Sequence, residues 1–300
     1  MDTKLDQTKS SEDLRVDPGP RRGSHKRRRE WILSTYTGFV FAYLLVPIVV
    51  MALFGFNDYP GRFNFVWGGF TLEHYRTLGD VPELTSSLKN SLVIAAISTF
   101  CATILGTLVA LALTRFHFRG RAGLNLLIFL PMATPEIILG VSLLAMFVSF
   151  NVLRGFLTIV IAHIMFSISY VVVTVKARTS GFDVSLEEAA GDLGATPLTT
   201  FRTVTFPLIF PGIMAAALLA FVLSVDDYVI TTFNAGATIT FPLWIYGVSR
   251  FGVPAQVNVM GTILFLFGVV YVVISLARER RARQAAPAPT PPAPQAPGVR

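Results

Sequence analysis

Six long apolar runs alternate with short polar stretches along this chain: Trp31–Phe54, Ser91–Thr114, Leu124–Phe150, Gly155–Val175, Leu208–Thr232 and Val257–Ala277. Each approaches or exceeds the roughly 20 residues a helix needs to cross a hydrocarbon core. Lipid offers no partner for an unpaired backbone amide, so such runs fold as helices. The pattern predicts an all-α integral membrane protein with six transmembrane helices spanning residues 31–280. Six buried helices of a soluble protein are the competing reading. The lengths of the runs and the near absence of charge within them argue against it.

The third run is interrupted. Pro131 and Pro135 bracket Met132-Ala133-Thr134, and Gly140 follows a turn later. Two prolines four apart remove backbone donors and clash with preceding carbonyls, so a kink or break is expected. Glu136 comes directly after the second proline. Counted from Leu124 it lies about 18 Å along a helix rising ~1.5 Å per residue, near mid-membrane. The fifth run starts after Pro207 and Pro211 and carries Ser224-Val225-Asp226-Asp227-Tyr228 toward its outer end. Residues 233–255 follow as a mostly apolar loop with Trp244 and Tyr246, expected to re-enter the membrane edge in part.

Between the fourth and fifth runs lies a polar island, residues 176–207, around Glu187-Glu188-Ala189-Ala190-Gly191-Asp192-Leu193-Gly194. Alanines permit close helix contact, and Gly194, past the last helical residue, suits the left-handed turn that ends a helix. Ala195-Thr196-Pro197 then offers a start for a second short helix. On the opposite side, residues 57–88 form the longest loop. Its Gly68-Gly69-Phe70-Thr71-Leu72-Glu73-His74-Tyr75 reads as a turn and a short helix with a Thr cap. It serves as a lid, a partner contact or simple packing on the outer rim.

Composition agrees with the pattern: 53% of residues are hydrophobic and 14% charged, too few charges for an ordinary soluble protein. The net charge of +7 raises the question of nucleic acid, but its distribution answers it. With the N-terminus in the cytoplasm, only Arg62, Arg76, Lys89, Arg154 and Arg250 of the 25 Lys and Arg fall outside. That asymmetry orients a membrane protein, so no nucleic-acid partner is needed. Residues 1–30, ending in Lys26-Arg27-Arg28-Arg29, read as a disordered basic tail against anionic lipid. Residues 281–300 read as an Ala/Pro-rich tail, and both termini are assigned to the cytoplasm. The first run is too long and too far from the N-terminus for a cleaved signal. Cys101 has no partner for a disulfide, and His25, His74, His117 and His163 fall in no metal-ligand spacing. His163, inside the fourth run, reads as a packed or hydrogen-bonded residue.

Neither a phosphate-binding Gly-x4-Gly-Lys-Ser/Thr loop nor a catalytic triad occurs, so the chain is not expected to be an enzyme. Glu136, Asp226 and Asp227 are nearly the only acids at membrane depth. Each costs about +2.5–3.5 kcal/mol on insertion scales and marks a pathway or an internal pair. With Tyr228, Trp244 and Tyr246 nearby they suit an organic cation, because carboxylates take ammonium groups and aromatic faces add ~0.5–2 kcal/mol each. For the Asp pair, a hydrated helix end is the other reading.

Glu188-Ala189-Ala190, Gly194, Val204 and Pro207 reproduce the spacing of the EAA loop of ABC importer permeases, with Phe206 where that loop usually has an aliphatic residue. Gly69–Tyr75, Asn90-Ser91-Leu92, Leu130-Pro131 with Pro135-Glu136, Ser224–Ile230 and Phe241–Tyr246 extend the resemblance over about residues 30–280. The chain resembles the inner-membrane permease of a binding-protein-dependent importer of the spermidine/putrescine type. That resemblance implies a type I ABC importer fold in the inner membrane. It implies a homologous permease partner, forming a heterodimer, and two ATPase subunits that bind ATP and Mg. An extracytoplasmic solute-binding protein would deliver the substrate. It further implies that Glu188, Ala189, Ala190, Gly194, Val204 and Pro207 couple to the ATPase, with no cofactor in this chain. Permeases for ferric iron, amino-acid-like compounds or sugars share this framework. An ATP-independent carrier whose acids relay protons is a third reading.

Overall fold

The computed structural model describes residues 23–59, 61, 64, 66–181 and 183–285. Its helices in chain order are α1 (Gly23–Phe54), α2 (Glu73–Arg76), α3 (Pro82–Arg115), α4 (Arg121–Ala133), α5 (Glu136–Ser149), α6 (Phe156–Thr179), α7 (Ser185–Asp192), α8 (Pro197–Thr200), α9 (Phe206–Asp226), α10 (Val229–Asn234), α11 (Phe241–Ser249) and α12 (Ala255–Ala285). Among the described residues there is no strand, only an isolated bridge between Asn57 and Phe70. Five helices are long and apolar enough to cross a membrane, and α4 with α5 makes a sixth crossing if that bent pair counts as one. The expected number of crossings is therefore met only through a broken span.

The chain divides into two units, residues 1–53 and 54–300. The first contains most of α1. Its apolar stretch Glu30–Phe54 is long and apolar enough to cross a membrane. The helix begins at Gly23, ahead of the expected boundary at residue 30, because nothing in Ser24–Arg29 breaks it. At the other end α12 runs to Ala285, past the expected boundary at 280. Residues 1–22 and 286–300, where the two tails are expected, lie outside the described residues.

In the second unit α3, α6 and α9 form the core. Ala102, Ala110 and Leu113 of α3 meet Val171, Val172 and Val175 of α6 and Ile209, Ile213, Ala216 and Ala220 of α9. Lipid is as apolar as a side chain, so tight packing must hold helices together in a membrane, and small residues permit it. Ala95, Ser98, Ala102, Gly106 and Ala110 form such a stripe along α3, all fully or nearly fully buried. At Gly106 a Cβ would come within 2.7 Å of Val171. At Gly140 on α5 it would meet Phe233 of α10 at 2.7 Å.

The break in the third run is sharp: α4 and α5 diverge by 108°. Pro135 disfavours helical backbone at the residue before it, and Thr134 is extended, at φ −82° and ψ 132°. The Leu130 carbonyl accepts both the Thr134 N–H at 2.9 Å and the Thr134 hydroxyl at 2.7 Å, which fixes the last turn of α4. Two expectations need correction further on. The helix starting at Pro197 is not a separate short one. It passes through a π-helical turn, Phe201–Thr205, into α9 without leaving helical backbone. The fifth span, expected to reach Thr232, stops at Asp226, where Asp227 turns extended at ψ 121°. Residues 233–255 hold the helix α11, pinned by Ser91, whose hydroxyl accepts from Phe241 N–H at 2.9 Å, and by Asn90, which donates to the Ile239 carbonyl at 3.0 Å.

Candidate functional site

The breaks at residues 134–135 and 227–228 lie side by side, and between them opens a cavity of about 510 Å³. Glu136, Asp226 and Asp227 all line it, with Tyr228, Tyr170 and Phe166, and no lysine, arginine or histidine is among its lining residues. Proline placed the first break. The second has another origin, visible in the bonds of Asp227. Its carboxylate accepts from Thr231 N–H at 2.8 Å, from the Thr231 hydroxyl at 2.7 Å and from Ile230 N–H at 3.3 Å. These bonds satisfy the first amides of α10, as a capping residue does.

Behind Asp227 stands His163 of α6, whose side chain is 1% exposed. Its Nε2 lies 3.3 Å from the Asp227 carboxylate and 3.0 Å from the Thr231 hydroxyl, and its Nδ1 2.7 Å from Ser224 Oγ. Ser224 is in turn 3.1 Å from Ser98 of α3. His163 is thus the hydrogen-bonded helix residue its position suggests. The two aspartates differ sharply. Asp227 is 6% exposed by its side chain and bonded on all sides. Asp226 is open to the cavity, and among the described residues its carboxylate has no side-chain partner.

Tyr228 stacks at a tilt on Tyr246, with ring centroids 4.6 Å apart. Arg250 already lies over the Tyr246 ring, 5.6 Å from its centroid. Trp244, two residues earlier on α11, points elsewhere. It packs on an apolar cluster with Leu84, Phe241, Val257 and Met260. Residues two apart on a helix do not share a face.

The polar island forms α7 and the turn after it. Gly194 is left-handed, at φ +86°. Its N–H donates to Gly191 at 2.8 Å and Ala195 N–H donates to Ala190 at 3.0 Å, the bond pair of a glycine-ended helix. Thr196 then caps the next helix, accepting from Thr199 N–H at 3.3 Å. Glu188 and Ala189 are exposed, Ala190 and Val204 half-buried, and Gly194 and Pro207 exposed. Leu186, Leu193 and Leu198 stand out of the same surface, Leu193 at 89% exposure.

Sequence reasoning missed the residue that holds this loop in place. Glu187 accepts both Arg115 guanidinium nitrogens and the Thr205 hydroxyl. The Arg115 guanidinium holds its carboxyl below the usual range, more than burial raises it, with the Thr205 hydroxyl helping. Arg115 carried a signal as a cation at a span end, but that signal names a side of the membrane and not a partner. Lys176 and Arg178 show the same double use. Lys176 donates to Asn125 at 2.8 Å and Arg178 to the Leu208 carbonyl at 3.3 Å.

The outer loop is built around Asn57, which is fully buried. Its amide donates to the Val66 carbonyl at 2.7 Å and accepts from Gly68 N–H at 2.7 Å. His74 donates to the Asn57 carbonyl at 3.0 Å. Thr71 accepts from Glu73 N–H at 3.1 Å, close to the expected cap. Among the described residues no cluster of His, Cys, Asp or Glu suits a metal ion.

The sequence profile of binding-protein-dependent transport system inner membrane components matches residues 102–284. The chain belongs to that family. It is 38% identical over 244 residues to the spermidine/putrescine transport system permease protein PotC of Escherichia coli, covering 80% of this chain and 92% of that one. It is also 38% identical over 246 residues to the Escherichia coli putrescine transport system permease protein PotI, covering 79% and 86%. Among solved structures, a bacterial ABC transporter involved in alginate import superposes with a TM-score of 0.61 at 17% identity, covering 87% of this chain and 99% of that one. The methionine transporter MetNI in an inward-facing form does so at 0.53 and 21%, covering 70% and 99%. The fold is that of type I ABC importer permeases, and the chain is a multi-pass inner-membrane component of such a system.

Proposed function

We propose that this chain forms half of the translocation pathway of an ATP-driven polyamine importer. The supporting observation is the cavity at the two helix breaks, which presents acids and aromatic rings with no cation among the described residues that line it. A polyamine carries several ammonium groups on an apolar chain. Asp226 and Glu136 are the carboxylates free to receive them, and Tyr228 and Tyr170 supply faces for the methylenes and for cation–π contact. Asp227 shapes the cavity by ending α9. Tyr246 acts through Tyr228, and Trp244 holds α11 in place. The names of the relatives PotC and PotI support the same substrate class.

The rest of the machine is proposed by the same logic. A homologous permease subunit completes the pathway and covers the apolar faces of this one. Two ATPase subunits bind ATP and Mg in the cytoplasm and dock on α7 through Glu188, Ala189, Ala190, Gly194 and the exposed leucines. A solute-binding protein delivers substrate to the outer loops, and both termini lie in the cytoplasm, where the basic residues cluster. The work of this chain is linkage: ATP and the loaded binding protein favour different conformations of one pathway.

The test is uptake of labelled putrescine and spermidine by cells with and without the gene, with ATP intact and depleted. Energy-dependent uptake lost with the gene supports the reading. Unchanged uptake in a strain without other polyamine carriers overturns the substrate and leaves the permease fold standing.

A further inference from the structure

Glu188 is the acid that the loop's spacing singles out, yet its neighbour Glu187 carries the contacts. Glu187 lies on α7, Arg115 is the last residue of α3, and Thr205 closes the π-helical turn that feeds α9. One carboxylate therefore ties three elements: one oxygen takes an Arg115 nitrogen, and the other takes the second nitrogen and the Thr205 hydroxyl. α7 has no buried residue, so apolar packing within the chain does little to fix it. Thr205, by contrast, is 1% exposed, so its hydroxyl is a fixed point of the core. The pair borders a hollow of about 370 Å³ lined by Thr114, Phe116, Thr179 and Val184.

We propose that Glu187 is the positioning joint of the transporter, the group through which a displacement of α7 reaches α3 and α9. This rests on the reading of the chain as an ATP-driven permease. The consequence is spatial. α9 runs from the joint at its cytoplasmic end to Asp226 at the cavity, roughly 30 Å for 21 residues at ~1.5 Å each. A pull at Thr205 acts on one continuous helix whose far end bears one of the cavity's two open carboxylates. The π-helical turn between α8 and α9 is where such a helix can shift in register, as π-bulges do at functional sites. Two-pronged guanidinium–carboxylate pairing fixes orientation as well as distance, which a joint requires and a simple tether does not.

The experiment uses the whole transporter, this chain with its permease partner, ATPases and binding protein, in liposomes. Two quantities are read: labelled putrescine taken up per ATP hydrolysed, and the ATP-dependent change in thiol labelling of a cysteine placed at Leu223 by the cavity in a Cys101→Ala background. Glu187→Gln keeps an acceptor for Thr205 and removes the charge. It should lower uptake per ATP about tenfold and flatten the Leu223 labelling change while the ATPases still co-purify. The swap Arg115→Glu with Glu187→Arg should restore most of both, because Thr205 can accept from an arginine. Unchanged coupling in both Glu187→Gln and Glu187→Ala overturns the proposal. So does a loss that the swap leaves in place together with lost ATPase binding, which makes the pair a docking or folding element. Absence of putrescine uptake in the native transporter with the labelling change intact removes the polyamine reading alone, and the joint is then judged on labelling.

Discussion

The cavity at the helix breaks and the cytoplasmic loop each contain two adjacent acids, and in each region the two acids have divided the work. In the loop Glu187 is bound by Arg115 and Thr205 while Glu188 is exposed. In the cavity Asp227 is bound by Thr231, Ile230 and His163 while Asp226 is open. The source of the division differs. On α7 it is helical geometry, since successive residues point about 100° apart and only one can face the core. At Asp227 it is a break, made by the side chain that profits from it. The compensation differs too. The loop's inner acid has a full cation, so it stays charged and ties elements together. The cavity's inner acid has only neutral donors and a histidine, and among the described residues no cation lines the cavity to reach the outer acid. On the reading proposed above, one region transmits and the other receives.

The sharpest way to break this comparison is to exchange the fates of the two aspartates. Asp227→Ala removes an acceptor from three donors and from His163. Each orphaned buried donor costs about 1–3 kcal/mol, so the variant should lose membrane level or thermal stability in detergent. Asp226→Asn leaves those bonds alone. It should assemble normally and take up substrate roughly 30–150-fold more slowly, as expected for about 2–3 kcal/mol lost when a charged partner disappears. Equal stability losses for the two variants would show that the division between them is wrong.

Much of this was legible in the chain, and what was not had a common cause. The long apolar runs announce crossings because lipid leaves the backbone no alternative. The break at residues 134–135 is legible because proline acts on its immediate neighbours. The break at Asp227 has no proline or glycine beside it and depends on His163 from another helix. The one local signal within Ser224–Ile230 is an aspartate, a residue that favours helix caps, and two adjacent aspartates leave open which one acts. Similarly, Asp226 and Asp227 are alike in sequence, and a tertiary partner tells them apart. Arg115 and Glu187 belong to different helices, and each had a sufficient local explanation, topology for one and the loop motif for the other. The helix α11 did leave a trace that went unread: Pro242 in its first turn, a favoured starting position.

A milder test concerns the outer acid of the loop. Glu188→Arg puts a cation on the exposed face of α7 without touching the Glu187 tie. Uptake should fall roughly tenfold at normal membrane level, the scale of about 1.4 kcal/mol of lost coupling. ATPase co-purification distinguishes weaker docking from weaker transmission. Normal uptake with normal ATPase binding would mean that the exposed acid has no part in coupling, and that the comparison holds only for the cavity.

The smallest expected effect is of pH on the joint, and its smallness is informative. The folded state holds the Glu187 carboxyl below its ordinary value, chiefly through the Arg115 guanidinium. A depressed carboxyl contributes its stabilisation fully above the unfolded pKa and loses it only as pH falls through the folded one. Both values lie well below neutrality, so uptake per ATP should stay flat across roughly pH 6–8. Salt should act more visibly. The pair is partly exposed, with 33% of the Arg115 side chain accessible, and ionic screening weakens such pairs. The coupling ratio, measured in liposomes over that pH range and then at rising ionic strength, should be level in the first series and decline in the second. A steep pH response with no salt response would place a neutral titrating group, and not the Arg115–Glu187 ion pair, at the point where α7 acts on the helices.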